Sequence, residues 1–281
     1  MLKTQSFIFL QLQKTGCTHV EHLIRMHYDV EAGMKHKRLP KTSADARLPV
    51  LGGVRNPWDW YVSFYAYGCE RRGGITNAYL LADGFSAPRW ISVRNRLKNV
   101  TPTALLRRTP AFLTREATHR RAPWNAVMSD VDDVENFRRY MKMLFDPRHA
   151  FAAAMDYGFS PHRRDIGLFS YLYLWLYLRS HDQLFEADGA VAHALRDPGT
   201  LDAALAVTHF IPMEALETSL VSALEEIGVR KMAGVSTKGV KEARTNSSKR
   251  MPDYRHYYDD ETRALVASRD RLIIERHGYV F

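Results

Sequence analysis

Two short segments near the start of the chain carry side chains suited to binding anions. In the first, residues 13–18 (QKTGCT), a lysine and two threonines come just before a predicted helix. The first N–H groups of a helix have no intrahelical partner and lie at the positive end of the helix dipole, and a glycine lets the main chain approach a phosphate closely. Lys14 adds a positive charge within reach of the same oxygens. The loop is therefore a candidate site for a phosphate or sulfate group.

The same loop also fits a role without a ligand, in which Lys14 is solvated and Thr15 or Thr18 caps the helix. It departs from the nucleotide-hydrolase pattern GxxxxGK(S/T), because Ile8 and Gln13 stand where that pattern, aligned on Lys14, needs its two glycines. On its own the loop leaves both roles open.

The second segment, residues 54–65 (VRNPWDWYVSFY), follows a predicted strand. Arg55 stands at the end of the strand and Ser63 lies 63 − 55 = 8 residues later, close to two helical turns, so both side chains can face one site. A guanidinium offers a fork of donors and a serine offers one hydroxyl, which together suit a second phosphate group. Arg55 alone would fit a pair with any acidic surface residue.

Taken together, the two segments resemble the motifs of the sulfotransferases that use 3′-phosphoadenosine-5′-phosphosulfate (PAPS), particularly the carbohydrate-type family 2. Residues 13–18 are similar to the 5′-phosphosulfate loop, commonly PKTGGTS, and residues 54–65 are similar to the 3′-phosphate motif RNPxDRxVSxY. Further similarity lies in residues 167–171, 214–216 and 246–279, and it leaves about residues 70–165 unassigned. The chain departs from the family pattern at four positions, Gln13, Cys17, His19 and Trp60, where proline, glycine, serine and arginine are usual.

The resemblance implies a single α/β domain with a central, mainly parallel sheet flanked by helices, a P-loop-kinase-like sulfotransferase fold with a helical middle insert. It implies transfer of a sulfuryl group from PAPS to a hydroxyl or amine of a glycan or small-molecule acceptor. Adenosine 3′,5′-bisphosphate (PAP) would be the product, and no metal is needed for this chemistry. A P-loop-type kinase and a non-catalytic nucleotide-binding relative are the alternatives.

The resemblance also implies roles for individual residues. Lys14 would stabilise the leaving phosphate, while Arg55 and Ser63 would hold the 3′-phosphate. The residues expected at the 5′-phosphate are Lys14, Thr15, Gly16, Cys17, Thr18 and His19. Cys17 is interpreted as space-filling rather than as a reactive thiol. The basic loop 238–250 would close over the nucleotide, with Arg244 or Lys249 joining the 3′ side.

The general base is expected on the segment after the first helix, where the family carries a histidine or a glutamate. His36 is the first choice there, because its ordinary pKa lies near the working pH of a base that activates a hydroxyl, and Glu31 is the alternative. His19, His22 and His27 share the first predicted helix, but no carboxylate or cysteine completes a metal ligand set with them.

Hydrophobic patterning supplies the elements that must position these residues. An apolar run at 7–10, a helical stretch at 18–28 and a second apolar run at 48–51 form the strand, helix, strand pattern of a parallel sheet. Asn56 and Pro57 then predict the cap and first residue of a helix over 58–67, which Gly68 would end.

The remaining chain divides by pattern into two more parts of the single domain, 1–281. After the donor-binding core 1–68 comes a mostly helical, acceptor-side region 70–200, then a C-terminal core and nucleotide-closing loop over 201–281. The helices predicted in these two parts lie at 134–144, 167–179, 213–227 and 260–277, and a strand is predicted at 210–211.

Composition limits the class of protein. Of 281 residues, 46% are hydrophobic and 25% are charged, as in a folded domain. The 40 basic and 31 acidic residues give a net charge of +9, which favours an anionic partner, but their interleaving argues against a nucleic-acid surface.

Two cysteines fit a reducing compartment, and the apolar stretch 168–178 is far short of the ~20 residues of a membrane span. We therefore expect a cytoplasmic protein; the oligomeric state is left open.

Overall fold

The structure of the chain is a computed structural model, which describes residues 1–39, 47–72, 124–146, 149, 157–229 and 250–281. Within these residues, five strands form one mixed sheet in the order β3-β1-β2-β4-β5. The strands are β1 (Leu2–Lys3), β2 (Ile8–Leu10), β3 (Glu31–Ala32), β4 (Val50–Val54) and β5 (His209–Pro212).

The centre of the sheet is parallel and its β1 side is antiparallel. β4 lies between β2 and β5 and runs parallel to both, with Phe9 opposite Leu51 and Gly52 opposite Phe210. β1 pairs antiparallel with β2 and with β3. The expected mainly parallel sheet is therefore correct only for β2, β4 and β5. The difference arises because a tight turn closed by the Thr4 hydroxyl joins β1 directly to β2, and such a short connection requires antiparallel strands.

Helices cover both faces of this sheet. The α-helices are α1 (Cys17–His27), α2 (Pro57–Cys69), α3 (Trp124–Val127), α4 (Val134–Phe145), α5 (Leu168–Tyr177), α6 (Ala190–Arg196), α7 (Leu216–Glu226), α8 (Asp260–Arg269) and α9 (Arg271–His277). Short 3-10 turns lie at Tyr157–Phe159, Pro161–Arg164, His181–Leu184, Pro198–Ala204, Met213–Ala215 and Tyr254–Tyr257.

Alternating strand residues divide the core into two layers. Ile8, Leu10 and Val54 point to a large cluster with α2, α4, α5 and the last two helices. Phe9 and Leu51 point to a smaller cluster with α1 and α7 on the opposite face. The structure is thus an α/β sandwich, as expected, and α5 is buried on nearly every side, as its uniformly apolar sequence predicts.

The boundaries of α2 follow from local chemistry. The Asn56 side chain accepts a hydrogen bond from the Trp58 N–H at 3.0 Å, and Pro57 is the first helical residue, which confirms the predicted cap. The helix continues through Gly68 and ends at Cys69, one residue beyond the predicted stop.

Two predicted helices are divided in the structure. The helix expected over 213–227 begins as the 3-10 turn Met213–Ala215 before α7. It ends at Glu226, and Gly228, two residues beyond, adopts a positive φ of 73° as expected of a glycine that follows a helix. The helix expected over 260–277 breaks at Asp270 between α8 and α9. Asp270 is fully buried, where its carboxylate accepts hydrogen bonds from the Ser170 N–H and hydroxyl and from Tyr61.

Several predictions for the middle of the chain fall outside the described residues. Most of the region between α2 and α3 lies there. In the part that is described, no helix has the length and apolarity to cross a bilayer. Both cysteines, Cys17 and Cys69, are free thiols.

Candidate functional site

The two predicted motifs begin next to each other, at the carboxyl ends of two neighbouring strands. The first follows the carboxyl end of β2 and the second follows that of β4, and these strands are parallel neighbours. Lys14 and Gly16 adopt positive φ angles of 61° and 73°, which turn the loop into α1. The positive φ of Gly16 favours glycine at this turn, and a Cβ there would also press on the side-chain ends of Leu216 and Met213.

Side chains hold the carbonyl groups of this loop. Residues 11–14 each accept one hydrogen bond through the main-chain oxygen. The His36 imidazole donates to the carbonyl of residue 11 at 2.6 Å, and the Thr15 hydroxyl donates to that of residue 12 at 3.0 Å. The Trp60 indole donates to the carbonyl of residue 13 and the Arg55 guanidinium to that of residue 14, both at 2.8 Å. Trp60, one of the departures from the family pattern, thus supports the loop directly.

The N–H groups of the same loop are free. Residues 13–16 form a turn, but none of the five main-chain N–H groups of residues 14–18 makes a hydrogen bond of good geometry within the residues that the structure describes, and no side chain caps α1. With the carbonyls occupied and the donors vacant at a helix start, the loop can bind an anion through its main chain.

Lys14 supplies the side-chain charge at this loop. Its ammonium lies 3.9 Å from the centre of the Tyr67 ring and makes no ion pair within the described part of the chain. Burial, reinforced by the nearby charge of Arg55, lowers the pKa of Lys14 to about 8. The side chain is therefore mostly charged at neutral pH, and Glu70, the acid that acts on its pKa, forms no ion pair with it in the described chain.

Arg55 lies at the junction of the two motifs. Its guanidinium contacts one carboxylate oxygen of Asp59 at 2.6 and 2.7 Å and also donates to the Lys14 carbonyl. Arg250 binds the other oxygen of Asp59 at 2.5 Å, while its Nη1 is buried and has no partner among the described residues. Two guanidiniums thus share one carboxylate, and Glu214, which accepts from the Asn56 N–H, is a second acid that acts on Arg55.

Ser63 is buried on the face of α2 that carries Asp59 one turn earlier and Tyr67 one turn later. In the described chain, no hydrogen bond links Ser63 to Arg55. Ser63 therefore shares a helix face with Asp59, the partner of the two arginines, and with Tyr67, the partner of Lys14, while Arg55 itself is already engaged by Asp59 and the loop.

His36 is anchored to the same loop. Its Nδ1 lies 2.6 Å from the Gln11 carbonyl oxygen, which can only accept, so Nδ1 carries the hydrogen and Nε2 holds a free electron pair in the neutral ring. Burial lowers the pKa of His36, which favours that neutral form. Glu31, the alternative base, is exposed on β3 and lies 3.7 Å from Lys3. The geometry favours His36.

The other predicted contacts have mainly structural partners. His19 Nε2 lies 3.2 Å from Glu217, which joins α1 to α7. The Thr18 hydroxyl is within 3.5 Å of the Lys35 ammonium. Cys17 is buried, and desolvation raises the pKa of its thiol, which agrees with a space-filling role rather than a reactive one.

Two residues of this site, Asp59 and Tyr67, were not predicted from the sequence, and Arg250 was expected only as part of the basic loop 238–250. Asp59 pairs both arginines, Tyr67 lies under Lys14, and Arg250 closes the far side of Asp59. The four-residue spacing of Arg55 and Asp59 was a readable signal, since such a pair faces one side of a helix start. Arg244 and Lys249 lie outside the described residues.

Comparison of the chain with protein-family models, with curated proteins and with solved structures found no match. The resemblance to sulfotransferases therefore depends on the two motifs and on the geometry around them.

Proposed function

We propose that this protein is a PAPS-dependent sulfotransferase. The observation that carries the proposal is the loop after β2, where N–H groups of residues 14–18 surround the start of α1 and the half-buried Lys14 forms no ion pair in the described chain. Arg55 ties this loop to the motif after β4. The two segments that resemble the donor motifs of the family are thus one physical unit.

In this proposal the loop binds the 5′ end of the donor. The N–H groups of residues 14–18 donate to the 5′-phosphate oxygens, and the Lys14 ammonium leaves the Tyr67 ring to neutralise the oxygen that bridges phosphorus and sulfur. Charge develops on this oxygen as the sulfuryl group departs, so donors placed there stabilise the transition state more than the ground state.

The 3′-phosphate is assigned to the region around Asp59. Arg250 Nη1 is a buried donor without a partner in the described chain, and the Ser63 hydroxyl lies one turn along α2 from Asp59. Arg55 contributes positive charge, although its best-placed donors already bind Asp59 and the Lys14 carbonyl. Arg55 thus has two roles: it supports the loop, and it contributes charge to the binding of the 3′-phosphate.

His36 is assigned as the general base. Its Nε2 takes the proton of the acceptor hydroxyl, or of an amine, as the acceptor atom bonds to sulfur. The bond between sulfur and the bridging oxygen breaks, and its electron pair remains on the phosphate of PAP. The Gln11 carbonyl stabilises the protonated ring until the proton passes to solvent.

Calorimetric titration with PAP, 5′-AMP and ATP tests the donor assignment. We expect micromolar binding of PAP and at least tenfold weaker binding of 5′-AMP, which lacks the 3′-phosphate. Arg250→Gln should weaken PAP about tenfold and leave 5′-AMP unchanged. Arg255→Gln, an exposed arginine paired with Asp253, is the matched control.

The other outcomes decide between the alternatives. A preference for ATP over PAP would contradict the proposal and favour a P-loop-type kinase. Tight PAP binding without transfer of labelled sulfuryl from PAPS to any hydroxyl or amine in a broad acceptor screen would favour the non-catalytic relative.

A further inference from the structure

A second cationic region lies in a cavity of about 330 Å³ that shares no lining residue with the candidate donor site. Its walls come from the 3-10 turn Pro161–Arg164, from α6 and from the junction of α8 and α9. Three arginines line it, Arg164, Arg269 and Arg271.

The buried Asp270 explains why two of these arginines stand together. Its carboxylate turns into the core to bind Ser170 and Tyr61, so the residues on either side of it remain at the surface and line the cavity. The Arg269 carbonyl accepts from the Gly167 N–H at 2.7 Å, which fastens the segment after Arg164 to this junction. The packing of the core around Asp270 therefore fixes the positions of these arginines at the cavity.

Positive charge in the cavity exceeds negative charge. Asp165 is the one carboxylate in the lining, against three guanidiniums. Arg271 donates to the Leu195 carbonyl at 2.6 Å and lies 3.7 Å from Glu275. Arg164 makes neither an ion pair nor a hydrogen bond through its side chain within the described residues.

Arg269 is the most informative of the three. Its Nη1 is buried yet has no hydrogen-bond partner in the part of the chain that the structure describes, and no acid pairs with its guanidinium there. A buried donor without an acceptor is unfavourable, and so is the approach of like charges. Both costs would be relieved by an anion placed in the cavity.

We propose that this cavity binds a small molecule through a phosphate or sulfate group. Guanidinium forks suit tetrahedral oxyanions, to which they donate two parallel hydrogen bonds. The Ser268 hydroxyl adds a further polar group to the lining, and the volume falls at the small end of ligand sites. Three arginines line the cavity against Asp165, and Arg271 also lies 3.7 Å from Glu275, so the remaining positive charge favours an oxyanion.

Titration calorimetry of the full chain with inorganic phosphate, and separately with sulfate, tests the site at low ionic strength. We expect saturable binding of at least one of these anions, at least tenfold weaker in Arg269→Gln and in Arg164→Gln. Arg164→Gln guards against a folding artefact, because the exposed Arg164 side chain has no partner to lose in the described chain. The matched control is Arg263→Gln, an exposed arginine of α8 that pairs with Asp260.

The contribution of the donor loop is removed by repeating the titrations in a Lys14→Ala background, where the binding that remains should still be weakened at least tenfold by Arg269→Gln. The proposal is overturned if neither anion binds, if Arg263→Gln weakens binding as much as Arg269→Gln, or if Lys14→Ala abolishes it. The last result would place the anion on the loop after β2.

Discussion

The loops after β2 and β4 leave neighbouring parallel strands and both lead into helices, but they use their hydrogen-bonding groups in opposite ways. After β2, the carbonyls of residues 11–14 are held and the N–H groups of residues 14–18 are vacant within the described chain. After β4, the Asn56 N–H binds Glu214 at 2.6 Å and its side chain binds Trp58 and Val280. The first loop is therefore free to bind an anion, while the second loop holds the first in place.

The largest expected effect is on catalysis by the first loop. Lys14→Ala should lower transfer of sulfuryl from PAPS about 10³-fold, because one charged donor at the leaving oxygen is removed. The fold should be intact, since Lys14 makes no ion pair in the described residues. Lys3→Ala, a lysine on β1, is the control. Full activity of Lys14→Ala in the labelled-sulfuryl assay would remove this residue from the mechanism.

Substitutions in the second loop should change the stability of the protein rather than the rate of sulfuryl transfer. Arg55→Ala removes the donor to the Lys14 carbonyl and one of the two partners of the partly buried Asp59, which should lower the free energy of unfolding by about 3 kcal/mol. Arg250→Ala should cost less, because Asp59 keeps Arg55. Urea denaturation measures both, and an Arg55→Ala variant as stable as the unaltered protein would refute the supporting role.

The base should affect transfer without affecting nucleotide binding. His36→Gln should lower sulfuryl transfer about 10²-fold, within the range typical of general bases, while PAP affinity stays within about twofold. Steady-state assays and calorimetry on one preparation make the test. If transfer is unchanged in His36→Gln and lost in Glu31→Gln, the base is Glu31.

A smaller effect is expected from pH on the binding of PAP. The ammonium of Lys14 is charged below its pKa of about 8 and neutral above it, so affinity should fall as pH rises through that value, by at most tenfold per pH unit. Lys14→Arg keeps its charge and should remove this decline. An equal decline in both proteins would assign the titration to another group.

Local signals made much of the fold predictable. The apolar run of β2, the Asn56-Pro57 start of α2 and the uniformly apolar α5 each depend on neighbouring residues, and each was placed closely. The two-residue strands β1 and β3 were missed because they are too short to show a period. The break at Asp270 was missed because its cause, Ser170, lies 100 residues away.

The candidate site likewise has features that local sequence predicts and features that depend on distant residues. Lys14 and Arg55 stood out by residue type and spacing, and the structure brings them into contact. The bond from the Trp60 indole to the Gln13 carbonyl and the anchoring of His36 on Gln11 depend on how distant segments pack. Sequence patterns therefore found the groups suited to chemistry, whereas the hydrogen bonds that orient them required the fold.

The central claim is that the vacant N–H groups of residues 14–18 hold the 5′-phosphate of the donor, and amide hydrogen exchange of these residues tests it most directly. These amides should exchange fast in the free protein and at least tenfold more slowly with saturating PAP, but not with adenosine, which lacks phosphate. The Asn56 amide, already bound to Glu214, should be slow in every state. Unchanged exchange at residues 14–18 while calorimetry shows PAP bound would contradict the claim and place the nucleotide elsewhere.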